Sequence, residues 1–136
     1  MKKLMILTTI LMALGISTAF ADNDKAQLFI KTHFPKEKVA LAKLERDFLE
    51  TRYEVVFTNG SKVEFLKDGE WKEVECKYST VPTAIIPAQI ASYVSQNYPD
   101  TQIVQIDRDK RDYEVKLTNR LELTFDLNFN LIDIDD

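Results

Sequence analysis

YEVVFTNGSKVEFLKDGEWKEVE, residues 53–75, returns sixty positions later as YEVKLTNRLELTFDLNFNLIDID, residues 113–135. Tyr53-Glu54-Val55 is repeated by Tyr113-Glu114-Val115, Thr58-Asn59 by Thr118-Asn119, and Phe65 by Phe125. In the second stretch Tyr113, Val115 and Leu117 alternate with Glu114, Lys116 and Thr118, the period-two pattern of a half-buried strand. Leu121, Leu123 and Phe125 carry the apolar face onward, against Glu122, Thr124 and Asp126. The first stretch turns Tyr53, Val55, Phe57, Val63 and Phe65 inward by the same rule. Asn59-Gly60 and Asp68-Gly69 are pairs favoured in type I′ hairpin turns. Their counterparts Asn119-Arg120 and Asn128-Phe129 lack glycine, so those turns either belong to another class or carry strain.

Working outward, each hairpin set is preceded by a helix and a first strand. Asp22-Asn23-Asp24 offers N-cap candidates, and Ala26, Phe29, Ile30, His33 and Phe34 recur at helical spacing before Pro35. In the second half Pro87 suits the first helical position, and Ile90, Tyr93, Val94 and Tyr98 form the stripe before Pro99. First strands are expected at Val39 to Arg46 and Gln102 to Asp107. The connection Cys76 to Ile86 is too short and apolar for a flexible linker. The fold class is therefore α+β: two α-β-β-β-β units, residues 22–80 and 81–136, forming one antiparallel sheet with both helices packed on one face.

The chain begins with Lys2 and Lys3, an apolar run from Leu4 to Ile16, and Ala19-Phe20-Ala21. That is the n-region, h-region and cleavage site of a secretory signal peptide, and the run is short for a membrane span. Residues 1–21 are read as cleaved, leaving 22–136 as a single soluble domain, periplasmic or secreted, without stable membrane insertion. The whole chain carries a net charge of −4. Residues 1–21 contribute two lysines and no acid, so the exported part is more acidic still. An acidic balance disfavours nucleic acid, which needs clustered Lys and Arg, and anionic membrane surfaces.

The pattern of a helix ending in Phe34-Pro35 or Tyr98-Pro99, the Tyr-Glu-Val strands, the Thr-Asn turns, and Val81-Pro82 and Ile85-Ile86-Pro87 opening the second unit resembles the small exported PepSY-like proteins. Their fold is similar to that of the β-lactamase-inhibitor protein. The resemblance covers nearly all of residues 24–136 and implies a module that binds other proteins. Such an inhibitor clamps an enzyme with a concave sheet and protruding loops, and PepSY domains proper occur in protease propeptides. No contact set carries over residue by residue.

Chemistry-bearing residues are sparse. Cys76 is the single cysteine and His33 the single histidine, which excludes an internal disulfide and a His-based metal cluster. Cys76 reads as a partly buried, inert thiol, and His33 as a helix-end residue that suits the helix dipole. Asp126-x-Asn128-x-Asn130 has the opening spacing of an EF-hand loop, but Leu131 stands where that loop needs glycine. Asp133, Asp135 and Asp136 suggest weak, non-specific cation affinity at most. Glu54, Glu64, Glu114 and Glu122 lie on strands beside Lys62 and Lys116, as on a solvated face with opposite charges paired across strands.

No catalytic group, metal or cofactor is expected. The chain reads as a non-catalytic binding or inhibitory module, a monomer or weak homodimer. It engages an unidentified protein or peptide of the cell envelope through the open sheet face and hairpin tips, with Glu54, Val56, Lys62, Glu64, Lys116, Arg120, Glu122 and Phe129 as candidate contacts. The alternative is a small-ligand or cation-binding periplasmic protein.

Overall fold

The computed structural model describes residues 7–9, 20 and 23–136. It divides into two compact units, the first ending at Lys72 and the second beginning at Glu73. The division falls inside a strand, earlier than the boundary at residue 80 that the sequence suggests.

The first unit contains β1 (Leu7–Thr9), α1 (Asp24–His33), β2 (Val39–Arg46), β3 (Thr51–Phe57), β4 (Lys62–Leu66) and the start of β5 (Trp71–Glu75). Its strands β1 to β4 lie side by side in chain order, each antiparallel to the next. The second unit contains the end of β5, a 3-10 turn at Thr83–Ile85, α2 (Ala88–Asn97), β6 (Ile103–Arg108), β7 (Asp112–Leu117), β8 (Glu122–Asp126) and β9 (Leu131–Asp135). Strands β5 to β9 are again antiparallel neighbours in chain order. The class is α+β, with antiparallel sheet and two helices.

α1 starts where Asn23, in an extended conformation, accepts the Ala26 N–H on its side chain at 3.1 Å, which satisfies one of the free donors of the first turn. It stops at Phe34, ahead of Pro35. Pro87 stands at the N-cap of α2 with helical residues from Ala88, one position outside the expected place. Each helix buries one stripe, Ala26 and Ile30 in α1, Ile90 and Val94 in α2. The sheet side answers with Val55, Phe57, Val63 and Phe65 in the first unit and Val115, Leu117, Leu123 and Phe125 in the second, all at most 1% exposed. Phe29 meets Phe65 edge-on with ring centroids 5.4 Å apart, and Tyr93 meets Phe125 edge-on at 5.6 Å, the geometry that the ring quadrupole favours. A register shift interrupts β2–β3 between Val39 and Leu41, and β6–β7 between Ile103 and Gln105.

The hairpin turns correct the sequence reading. Gly60 N–H donates to Phe57 O at 2.9 Å and Phe57 N–H to Ser61 O at 2.8 Å. The loop is therefore the three residues Thr58-Asn59-Gly60, with only its last residue at positive φ. A type I′ turn needs positive φ at both central residues; this is a type I turn closed by a left-handed residue. Loops Lys67-Asp68-Gly69, Thr118-Asn119-Arg120 and Leu127-Asn128-Phe129 close with the same two hydrogen bonds. Arg120 (φ 75°) and Phe129 (φ 67°) hold the place taken by Gly60 (φ 89°) and Gly69 (φ 91°). The turn class is common to all four, and the left-handed residue need not be glycine.

The leader expected at residues 1–21 lies largely outside the described residues. Within it, Leu7–Thr9 pairs with β2, with Thr8 opposite Glu45, and Phe20 is buried with its ring 6.2 Å from that of Phe65. Among the described residues no helix is long and apolar enough to cross a membrane.

Candidate functional site

Strand alternation places Lys43, Glu45, Arg52, Glu54 and Glu64 on the face of the first unit opposite to Ala42, Leu44, Tyr53, Val55 and Val63. The register sets Glu54 between Lys43 on β2 and Glu64 on β4. Glu45, Glu54 and Glu64 converge so that one carboxylate oxygen from each lies within 4.8 Å of the others. They are only 6%, 8% and 3% exposed. This corrects the picture of a solvated face at Glu54 and Glu64, which are both buried and stand opposite one another, while opposite charges do pair across strands at Lys43 and Glu54 and at Lys116 and Glu122.

Two cations close over the trio. Lys43 Nζ lies 3.4 Å from Glu54 Oε1 and 3.9 Å from Glu45 Oε1, and Arg52 Nη1 lies 3.8 Å from Glu64 Oε2. Arg52 is also held by Glu50 through its Nε at 2.6 Å. Their long aliphatic stems help to keep water off the carboxylates. Glu45 Oε2 is buried with no hydrogen-bond partner. Burial first, then the hydrogen-bonding neighbour Glu54 and the negative charges of Glu54 and Glu64, raise the Glu45 carboxyl to about 7, as expected for an acid beside like charges out of water.

The expected contact residues fall in both units. Val56 and Lys62 are cross-strand partners in the first unit, Lys116 and Glu122 are cross-strand partners in the second, and all four are half-buried. Arg120 is exposed at its turn. Phe129 is not a free apolar tip: it is half-buried, with its ring 5.4 Å from that of Tyr113.

A more exposed apolar tip stands on the turn between β2 and β3. Phe48 is fully exposed at 105% and Leu49 at 81%. The turn under them is well fixed: Asp47 N–H donates to Glu50 O, and Asp47 Oδ1 accepts from Leu49 N–H and Glu50 N–H, each at 2.8 Å. Those two bonds, Glu50 before Leu49, hold the Asp47 carboxyl below its ordinary range. The second unit builds the same turn at Asp109–Asp112, where Asp109 Oδ1 accepts from Arg111 N–H at 2.7 Å and Asp112 N–H at 3.0 Å. There the tip residues are Lys110 and Arg111. The signal for the first tip was two large apolar residues between acids in a connection that shows no alternation.

Other candidates resolve structurally. Cys76 is buried more completely than expected, at 5% exposure. His33 packs on Phe29 with ring centroids 4.6 Å apart, and burial lowers its pKa, so the ring is less charged than a helix-end role implies. Asp126 Oδ1 accepts from Asn128 N–H and Asn130 N–H at 2.9 and 3.0 Å, which explains the EF-like spacing as turn chemistry. A hollow of about 230 Å³ in the second unit is lined by Thr, Ser, Gln and apolar residues such as Val81, Val94 and Ile103 and carries no charged group. It is smaller than the roughly 300–1,000 Å³ of ordinary ligand pockets.

The family model described as "Putative beta-lactamase-inhibitor-like, PepSY-like" matches residues 51–133. A "putative calcium-regulated periplasmic protein" of Bacteroides thetaiotaomicron superposes with a TM-score of 0.83 at 62% identity, covering 87% of this chain and 93% of its own. A "putative periplasmic protein" of the DUF2874 family from Bacteroides vulgatus gives 0.83 at 55% identity with the same coverage. A second periplasmic protein of that organism, of unknown function, gives 0.80 at 33% identity, covering 96% of this chain and 99% of its own. No curated protein matches the sequence.

Proposed function

The chain belongs to the PepSY-like family, and from that membership we propose that it is an exported, non-catalytic module that binds or inhibits a protein partner in the cell envelope. One observation carries the reading. Phe48 and Leu49 stand out in water on a turn locked by Asp47, and large apolar side chains held on a rigid turn are suited to anchoring an interface. Half-buried Lys62, Lys116 and Glu122 and exposed Arg120 supply polar groups of the kind found at interface rims. The exported form begins after Ala21. The two successions of helix and four strands are copies of one unit, a reading supported by the matching register shifts and edge-on aromatic contacts.

The test is affinity capture from the envelope fraction with the wild type and with Phe48→Ser/Leu49→Ser in parallel. A partner held by the wild type is lost by the double variant, while the melting temperature stays unchanged or rises. Equal recovery by both proteins sinks the anchor. The buried carboxylates favour a second reading, cation binding, in line with the relative described as calcium-regulated.

A further inference from the structure

We propose that Glu45, Glu54 and Glu64 form a specific site for one divalent, oxygen-preferring cation, with calcium the best fit. The assignment goes beyond partner binding and deepens the cation reading, which could also be satisfied at the acidic C-terminus. The experiment below separates the two.

Geometry comes first. Calcium sits roughly 2.4 Å from its oxygens, so two oxygens on opposite sides of one ion stand up to about 4.8 Å apart. The three glutamates already hold an oxygen each within 4.8 Å of the others. They come from three adjacent strands, β2, β3 and β4, so the ladder positions them without help from a mobile loop. Three carboxylates can contribute up to six oxygens, mono- or bidentate, which suits the irregular shell of calcium better than the strict octahedron of magnesium. Zinc, which prefers nitrogen and sulfur, finds no such ligand in the trio.

An independent observation points to a missing ligand. Glu45 Oε2 is buried and accepts no hydrogen bond. A buried acceptor left alone costs free energy that a bound ion would recover. Lys43 stands against Glu45 and Glu54, and Arg52 against Glu50 and Glu64. Without an ion, the direct opposition of Glu54 and Glu64 is destabilising. With an ion, Lys43 leaves: its ammonium stands on a flexible stem, and the 3.4 and 3.9 Å contacts show a loose hold. Arg52 stays, since Glu50 grips it.

The experiment uses protein purified from the envelope of an expressing host and stripped with EDTA, titrated calorimetrically with calcium chloride alone and, in a second arm, magnesium chloride. Calcium binds one per chain and raises the melting temperature, whereas sodium chloride at matched ionic strength does neither. Glu45→Gln and Glu64→Gln each weaken calcium roughly ten-fold or more, and both melt at or above the wild type in chelator because a repulsive charge has gone. Asp133→Asn/Asp135→Asn binds like the wild type. Absence of a calcium response overturns the site and the cation reading together. Calcium binding that survives Glu45→Gln/Glu64→Gln, or that disappears in Asp133→Asn/Asp135→Asn, overturns the site alone, and a response reproduced by sodium reduces it to charge screening.

Discussion

The two units solve the same backbone problem with different side chains. The four three-residue hairpin loops, two in each unit, close with the same pair of backbone hydrogen bonds and end on a left-handed residue. In the first unit that residue is Gly60 or Gly69, and in the second it is Arg120 or Phe129. Asn59, Asp68, Asn119 and Asp126 each accept a backbone N–H from the residue two further on. Strand register and these side-chain bonds thus specify the turn in both units, and glycine only removes a local cost. The polar faces differ in kind. In the first unit the row across the strands reads Lys43, Glu54, Glu64; in the second it reads Glu73, Asp107, Glu114, Thr124. Yet Glu73 accepts the Gln105 side-chain amide at 2.8 Å, whereas Glu45 Oε2 has nothing. A row rich in acids is not by itself a site. What distinguishes the first unit is convergence without satisfaction.

The largest expected effect breaks the comparison at the turns. Gly69 is buried at its turn, and a Cβ placed there would lie 2.6 Å from Asn23 Oδ1 and 2.8 Å from Lys25 Cβ. Gly69→Ala therefore combines left-handed strain with overpacking against the start of α1, and together these cost about 3 kcal/mol. Gly60 is exposed, and Gly60→Ala costs only about 1 kcal/mol. Urea denaturation of the two variants checks the ordering. Equal losses would show that backbone strain alone, and not the packing of α1 on the turn, decides.

The next effect concerns the polar faces. The Glu45 carboxyl rises from an ordinary value of 4.5 to about 7. An acid with a raised folded-state pKa contributes stability that is complete below its unfolded value and lost as pH climbs through the folded one. In EDTA, the wild type should accordingly lose about 2 kcal/mol between pH 5 and pH 8, and Glu45→Gln should flatten that decline. Glu114 in the second unit is also raised by burial, with Glu122 and Asp107 adding to it, so Glu114→Gln flattens the profile in the same direction. Chemical denaturation at several pH values measures both. A profile unchanged by Glu45→Gln would remove that carboxyl from the titration.

Most of the fold was legible because its signals are local. Strict alternation at 113–117 marks a strand, and Ala26, Phe29 and Ile30 mark a helix face. The turn class was misread at Asn59-Gly60, although the parity of the flanking strands contains the answer. A two-residue loop would set Val55 against Glu64, one inward and one outward. The three-residue loop sets Val55 against Val63 and Glu54 against Glu64. That register is also what creates the carboxylate trio, so misreading the turn concealed the site. Glu45 joins the trio through the hairpin of β2 with β3, whose register is set by the turn at Asp47 to Glu50, a connection in which no alternation marks the pairing. Phe48 and Leu49 escaped for the same reason: they lie in that connection, where apolar residues have no period to belong to.

The smallest effect sharpens the comparison most finely, because two counterparts of glycine should answer differently. Arg120 is exposed at φ 75°, and an exposed side chain gains little packing to offset that strain. Arg120→Gly should therefore stabilise the protein by about 1 kcal/mol, less whatever freedom glycine adds to the unfolded chain. Phe129 carries similar strain at φ 67°, but its ring lies 5.4 Å from that of Tyr113, and such an aromatic pair contributes about 1 kcal/mol. Phe129→Gly relieves one and loses the other, so its net change is near zero or negative. Thermal denaturation resolves the contrast, since 1 kcal/mol moves the midpoint of a domain of this size by about 4 °C. If both variants gain equally, the Tyr113 contact has no energetic weight and Phe129 can be assigned to binding after all. If only Arg120→Gly gains, the second unit has replaced glycine twice for separate reasons: a charge left exposed at one turn and a packed ring at the other.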